Sequence, residues 1–361
     1  MRRIAITITT ALAAASVMTA CGSSDNKKSA PGGGGHLSSI AYGSAADSSE
    51  IYKTLGDAMV SYGKGQGLKM SRYDNDLDPS KALSNAQLMV AQHPDVIADA
   101  AAGEVNESLG KVFTRAKIPC IGVVLSIPGC AFLNFNRAKS GSESADAAAA
   151  AIAKRGWKGA DVTVLLDTAA LGGAPLYVYQ SSFYTTFAAK VAGVQQVPSS
   201  KLTLSTTTVG TSLVQVDGKA TLDGSNAAVK QAIQRIPKTR HLVVVATNDD
   251  MAIGAISALD QGGWKGNYVL TSQGGTAQAL AHLRANDGWS AEGDPTFAVW
   301  PSYIYAMAQA LHQGKKLPAQ TDSPQLTLTP DNVDTYYQGT KLVKVPPVPA
   351  SDSYLTPFFA K

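Results

Sequence analysis

From Leu37 onward, short β-branched and apolar runs alternate with stretches whose apolar positions recur at helical spacing. Ser39-Ile40-Ala41-Tyr42 reads as a strand, and Ile51, Leu55, Met59 and Tyr62 then fall on one helical face. Gly63 to Gly67 stops that helix, and Leu68 to Tyr73 predicts a second strand. Asp78-Pro79 has the form of an N-cap followed by proline at the first helical position, opening a helix that runs to Gln92. Asp95 to Ala98 predicts a third strand. Leu109, Val112, Phe113 and Ala116 line the next helix, and Cys120 to Val124 the next strand.

After an irregular region the alternation resumes. Helices are predicted over Ser144 to Ala153, Tyr177 to Val191, Asn226 to Ile236, Met251 to Leu259, Thr276 to Ala285 and Tyr303 to Leu311. The strands between them are predicted at Val162 to Leu166, Lys201 to Thr206, His241 to Ala246, Tyr268 to Thr271 and Thr296 to Val299. Such alternation predicts an α/β protein with parallel sheets, helices on both faces and right-handed crossovers. A length of 361 residues suits two such sheets better than one. A ligand then belongs outside the carboxyl ends of the strands, in the loops that follow them. The segment from Pro318 to Lys361, rich in proline and tyrosine, is expected to wrap the surface.

The N-terminus carries a separate signal. Arg2-Arg3 precedes an apolar, small-residue stretch from Ile4 to Val17, which has the length of a signal peptide rather than a permanent span. It ends in Met18-Thr19-Ala20-Cys21-Gly22, which resembles a bacterial lipobox: a small residue precedes a cysteine whose sulfur receives lipid. The alternative is an ordinary cleaved signal with a chance cysteine. Gly22 to Gly35, built of Ser, Asn, Lys, Pro and Gly, cannot bury enough apolar surface to offset its ordering entropy and reads as a tether. With Cys21 lipidated, Cys120 and Cys130 remain in an oxidising compartment, either as a disulfide or as two buried thiols.

Composition narrows the classes. Charged residues are 16% of the chain, 45% is hydrophobic, and a net charge of +4 without a basic block gives no footprint for nucleic acid. GxSxG, HExxH and GxxxxGK[ST] are absent, and His36, His93, His241, His282 and His312 lack metal-ligand spacing. Asp74, Asp76 and Asp78 look like a calcium-loop fragment without its glycine and distal glutamate, and suit turns and caps. No metal or other cofactor is expected.

Several segments in order resemble type I periplasmic binding proteins, in particular ribose-binding-like sugar receptors of ABC importers. They are Ile40-Ala41-Tyr42-Gly43, Asp74 to Pro79, Asp95-Val96-Ile97, Ala116 to Ile121 and, most specific, Ala246-Thr247-Asn248-Asp249-Asp250-Met251. The resemblance covers Leu37 to Leu328. It implies two Rossmann-like domains joined by a three-crossing hinge and closing on a ligand. Its boundaries are 1–20 for the signal peptide and 21–36 for the lipidated tether. Residues 37–136 with 301–328 form one lobe, and 137–300 with 329–361 the other lobe and tail.

Carried over by position, the resemblance implies ligand contacts at Ser44, Asp47, Ser48, Tyr52, Asp99, Asn248, Asp249, Gln273 and Trp300, with Phe183 and Tyr184 near a further contact. Asp, Asn and Gln replace the water that a polyhydroxylated ligand loses, and aromatic faces cover its C–H edges. Asn248 or Asp249 equally suits an N-cap, Tyr52 a packing role under its helix and Trp300 a hinge-packing role. Where the ribose-type receptors carry an Asp-Arg pair after the fourth strand this chain has Val124-Leu125, and Val299 replaces a hinge glutamine, which predicts a more apolar cleft.

The implied partners are a small carbohydrate-like ligand, an ABC permease and its ATPase. The membrane is contacted by the lipid anchor only, and a monomer on the outer face of the cell membrane is expected. A ligand sensor for a membrane kinase or chemoreceptor would use the same site, whereas a secreted hydrolase lacks a nucleophile–base pair. Cys21→Ala is expected to move the protein from the membrane to the soluble fraction, as read by cell fractionation.

Overall fold

The computed structural model describes residues 36–100 and 103–360. The segments expected to form the signal peptide and the tether up to residue 35, with Cys21, lie outside them. The first half of the chain runs β1 (Ser39–Ser44), α1 (Glu50–Gly65), β2 (Lys69–Asp74), α2 (Pro79–Ala91), β3 (Val96–Asp99), α3 (Asn106–Ala116), β4 (Cys120–Val123) and β5 (Ala131–Asn134). It then continues through α4 (Arg137–Lys154), β6 (Val162–Thr168), α5 (Gly173–Lys190), β7 (Thr208–Val209), β8 (Leu213–Asp217), α6 (Leu222–Ile233) and β9 (His241–Ala246). The remainder is α7 (Asp249–Gln261), β10 (Tyr268–Gln273), α8 (Ala277–Ala285), β11 (Trp289–Asp294), α9 (Trp300–His312), β12 (Thr321–Asp322) and β13 (Leu326–Leu328). A short helix α10 (Val333–Tyr336) and a hairpin of β14 (Tyr337–Gln338) and β15 (Lys341–Leu342) follow.

Two sheets result. The first has the order β12-β5-β4-β3-β1-β2 and is parallel throughout. The second has the order β13-β11-β10-β9-β6-β8-β7, parallel except for the antiparallel edge strands β13 and β7.

Period-2 alternation divides each strand between two helical layers. Ile40, Tyr42, Val96 and Ala98 pack with Leu55 and Met59 of α1 and with α9, while Ala41 and Ile97 face Ala82, Ala86 and Met89 of α2 and Phe113 of α3. In the second sheet Leu242, Val244 and Ala246 meet α6, α7 and α8, and Val243 and Val245 meet α4 and α5. Residues buried on both faces explain the continuous apolar run of β9.

The chain passes between the sheets three times, after β5, after β11 and after β12. These links are laced together: Ser323 N–H donates to Asn134 C=O at 2.7 Å, and Thr296 Oγ1 donates to Pro324 C=O at 2.7 Å. A disulfide between Cys120 and Cys130 closes the loop between β4 and β5.

Four sequence expectations are corrected. Thr296 to Val299 is not a strand: Thr296 takes a left-handed φ of 55° and residues 297–299 form a 3-10 turn, while the strand lies upstream at β11. Lys201 to Thr206 forms turns rather than a strand, with Thr206 Oγ1 bonded back to Lys201 C=O. Leu326–Leu328 pairs with β11, so the end of the 301–328 segment belongs to the second sheet. The tail divides: Tyr337 packs in the second lobe, but residues 350–358 form a 3-10 helix whose Leu355 is buried with Tyr303 and Ile304 of α9 in the first.

Helices α6 and α7 pack most closely at Gly254, where an added Cβ would stand 2.2 Å from Leu222 C=O, a backbone atom that cannot swing away. Gly254→Ala is therefore expected to destabilise the protein by about 1–3 kcal/mol through overpacking. Urea denaturation reads the change, and an unaltered midpoint would contradict so close an approach.

Candidate functional site

Because every strand of the parallel cores points its carboxyl end the same way, the loops after them converge on one cleft between the sheets. The first lobe supplies Ala45, Ser49, Ile51 and Tyr52 after β1, Leu77 after β2 and Val124 and Leu125 after β4. The second lobe supplies Leu171, Gly172 and Leu176 at the start of α5, Ala220 after β8, Thr247 and Asn248 after β9, and Gln273 and Gly274 after β10. The links between lobes add Phe135, Pro295 and Phe297, and α4 begins with Arg137.

The lobes touch beside the cleft. Ser49 Oγ donates to Asp250 Oδ2 at 2.7 Å, and Glu50 Oε1 accepts from Ala277 N–H, the first residue of α8, at 3.3 Å. Gly274 admits the Ile51 side chain, since a Cβ there would lie 2.8 Å from Ile51 Cδ1. Backbone strain collects around the same space: Leu77 (φ 51°), Val124 (φ 68°) and Thr296 (φ 55°) all adopt left-handed backbone, which is costly for a β-branched residue.

At the base of the cleft Arg137 is only 7% exposed. Its guanidinium lies 4.4 Å from the centroid of the Phe135 ring, and Nη1 donates to Gln273 Oε1 at 3.0 Å. Gln273 Nε2 in turn donates to Ser140 Oγ at 3.0 Å, which fixes the orientation of the amide. Burial pulls the arginine down to about 10, leaving it cationic at neutral pH. Tyr52 stands near it, and burial, the larger effect, raises its hydroxyl, so this phenol is neutral.

Of the residues expected to touch ligand, Tyr52, Asn248 and Gln273 line the cleft. Asn248 also caps α7, its Oδ1 accepting from Met251 N–H at 2.9 Å and its Nδ2 donating to Ala220 C=O at 3.3 Å.

The others stand elsewhere. Ser44 is buried at the end of β1, and Ser48 is exposed. Asp47 is held by the Arg72 guanidinium, which also grips Asp57. Asp99 is buried behind Gly43, accepts from Asn75 Nδ2 at 2.9 Å and is pushed up to about 6 by burial. Phe183 and Tyr184 are core residues of the second lobe, and Tyr184 hydroxyl donates to Gln195 C=O at 2.8 Å. Trp300 is also buried: its Nε1 donates to Pro295 C=O at 2.9 Å and its ring meets Phe135 and Phe297 edge-on, so it braces two cleft aromatics.

Asp249 lies beneath the turn that follows β10. It accepts from Ser272 Oγ and from Thr276 N–H at 2.9 Å, while Ser272 Oγ also lies 2.7 Å from Glu292 Oε2. One hydroxyl proton cannot serve two carboxylates. Burial and the Asp249 charge raise Glu292 well above its ordinary range, and the pair retains a proton that completes the network. Gly275 N–H donates to Glu292 Oε1 at 2.9 Å, so this network sets the Gln273–Gly275 backbone rather than touching the cleft.

Arg137 and Phe135 were missed by sequence reasoning, which left them in the irregular stretch around the lobe boundary at 136/137. A signal existed: Asn136 is an N-cap, its Oδ1 accepting from Lys139 N–H, and it places Arg137 at the first helical position. A cation there opposes the helix dipole, and such local conflicts mark functional positions.

Asp167, near the end of β6 and outside the cleft lining, gives the fold a pH signature. Its Oδ2 accepts from Ser225 Oγ at 2.5 Å, its Oδ1 has no partner among the described residues, and burial pushes it up to about 7. The folded state then holds a proton that the unfolded chain has lost, from about pH 4 to about pH 7, so this group lowers stability as pH rises through that window. Asp167→Asn is expected to flatten that fall, whose slope per proton reaches ~1.4 kcal/mol per pH unit. Urea midpoints measured from about pH 5 to about pH 8 read it, and parallel curves for the two proteins would contradict it. Within the cleft, Asn248→Ala is expected to weaken ligand binding by about 1–3 kcal/mol, whereas Asp47→Ala, outside the lining, leaves affinity unchanged by calorimetry.

Comparison with known proteins agrees with this architecture. An ABC transporter solute-binding protein from Mycobacterium smegmatis, with bound glycerol, is 19% identical with a TM-score of 0.70, covering 86% of this chain and 100% of that one. One from Actinobacillus succinogenes with bound D-allose is 14% identical, with a TM-score of 0.68 over 83% of this chain and 100% of that one. One from Bacillus halodurans with bound myo-inositol is 16% identical, with a TM-score of 0.66 over 85% of this chain and 98% of that one. No curated protein matches the chain. A periplasmic binding protein domain matches residues 40–317, spanning nearly all of both sheets. The chain belongs to the periplasmic binding protein family, of the two-lobed type I kind that its sequence resembles.

Proposed function

We propose that this protein is an extracytoplasmic solute-binding lipoprotein that captures a small carbohydrate or polyol between its lobes and delivers it to an ABC importer. The observation that carries this reading is the cleft itself. Strand ends from two separately cored sheets face one another there, and the side chains between them combine aromatic faces (Tyr52, Phe135, Phe297) with fixed polar groups (Arg137, Asn248, Gln273).

Such a surface holds a hydroxylated ring by replacing its hydration and covering its C–H faces. A ligand touching both lobes favours the closed arrangement by its difference in affinity for the two states, and a permease that reads the closed form is thereby told that the receptor is loaded. The links after β5, β11 and β12 are short, which suits a hinge, while the tail makes a further passage back to the first lobe at Leu355. Structural neighbours with bound D-allose and myo-inositol support the ligand class. Among the described residues no helix is long and apolar enough to cross a membrane. In this reading the lipidated Cys21 supplies the anchor on the outer face, and a monomer engages the permease and its ATPase.

A thermal-shift screen against monosaccharides and polyols tests the reading. A ligand that binds only the folded protein raises Tm with its concentration. The expected result is a rise with at least one of them that is reduced in Asn248→Ala. A flat response to the whole panel would contradict the proposal.

A further inference from the structure

The charge balance of the cleft narrows its ligand further, on the reading of the site given above. Around the lining, the nearest acidic side chains lie outside it and are hydrogen-bonded there. Asp47 is held by Arg72, Asp250 by Ser49, Glu50 by Ala277 N–H, and Asp249 by Ser272 and Thr276. No carboxylate belongs to the lining, and among the described residues Arg137 makes no ion pair. Its neighbours are a neutral amide oxygen, an aromatic ring and the neutral Tyr52 phenol.

Arg137 nevertheless lines the cleft, and its Nε is buried without a hydrogen-bond partner among the described residues. A guanidinium has five N–H donors in a planar fork, of which Gln273 takes one here. Its position at the first residue of α4 adds the positive end of that helix. The surrounding wall of Val124, Leu125, Leu176 and Phe297 is apolar, so solvent screens this charge poorly. A neutral sugar could satisfy donors but would leave the cation uncompensated, and burying an unpaired charge is far costlier than burying an unpaired hydroxyl.

We infer that the ligand carries a carboxylate: a hydroxylated acid, such as a sugar acid or a cyclic polyol acid, whose anionic group sits on the free edge of Arg137. Its hydroxyls face Tyr52 and Asn248, and its C–H face lies against Phe135 and Phe297. Fork-to-carboxylate pairing supplies both compensation and orientation. The arginine selects by charge, since a neutral analogue of the same shape leaves it unpaired.

Matched pairs test this by calorimetry on the intact protein: D-galactose against D-galacturonate, D-glucose against D-glucuronate, and myo-inositol against quinate. At least one acid is expected to bind tenfold or more tightly than its neutral partner, and Arg137→Gln to bring that ratio close to one. Arg137→Lys, which keeps the charge but not the fork, is expected to retain part of the preference. The wild-type comparison stands on its own if the glutamine variant fails to fold. Neutral members binding as tightly as the acids would overturn the inference while leaving the carbohydrate receptor intact. An acid preference that survives in Arg137→Gln would likewise overturn it. Silence from every member, neutral and acidic, would remove the receptor reading and this inference together.

Discussion

Everything functional in this molecule depends on the polarity of its parallel strands. A parallel sheet sends all its carboxyl ends to one edge, and the three links between the lobes turn two such edges toward each other. Residues distant in the chain, such as Tyr52, Arg137 and Gln273, thereby share one space. The helices bury both faces of each sheet and leave only these edges free to present polar groups without disturbing a core.

The polar groups just behind the cleft are tied into that arrangement by hydrogen bonds outside the lining. Asp167, Asp249, Glu292 and Asp294 lie in or just after buried strands of the second sheet, and each accepts from backbone or hydroxyl groups beside it. Burial raises all four, so this layer works with protons retained on some of its carboxyls. Trp300 plays the corresponding part in the first lobe, holding Phe135 and Phe297 from behind.

Much of the fold was legible because strand and helix periods differ and because Asp78-Pro79 and Asn248 punctuate the chain in the way helices require. Strand β11 was not, since Trp289-Ser290-Ala291-Glu292-Gly293-Asp294 carries acids and glycine that only a buried hydrogen-bond network makes tolerable. Thr296 to Val299 misled in the opposite sense: its β-forming residues follow a turn fixed by Asp294 Oδ1, which accepts from Thr296 N–H at 2.6 Å. In the site, strand order pointed to Asn248 and Gln273, which line the cleft, and equally to Asp47, Ser48 and Asp99, which do not. Strand order did not point to Arg137 and Phe135, because the tertiary crossing after β5 brings them to the cleft. Asp99 and Phe183 have the right chemistry for a ligand, but they point into cores whose packing a single sequence does not display.

The most direct measurement is a crystal structure of the protein with its tightest-binding small ligand. The account predicts electron density between the lobes, in contact with Arg137 and Gln273 on one side and Tyr52 on the other. Density confined to another surface, with that space filled by solvent alone, would contradict it.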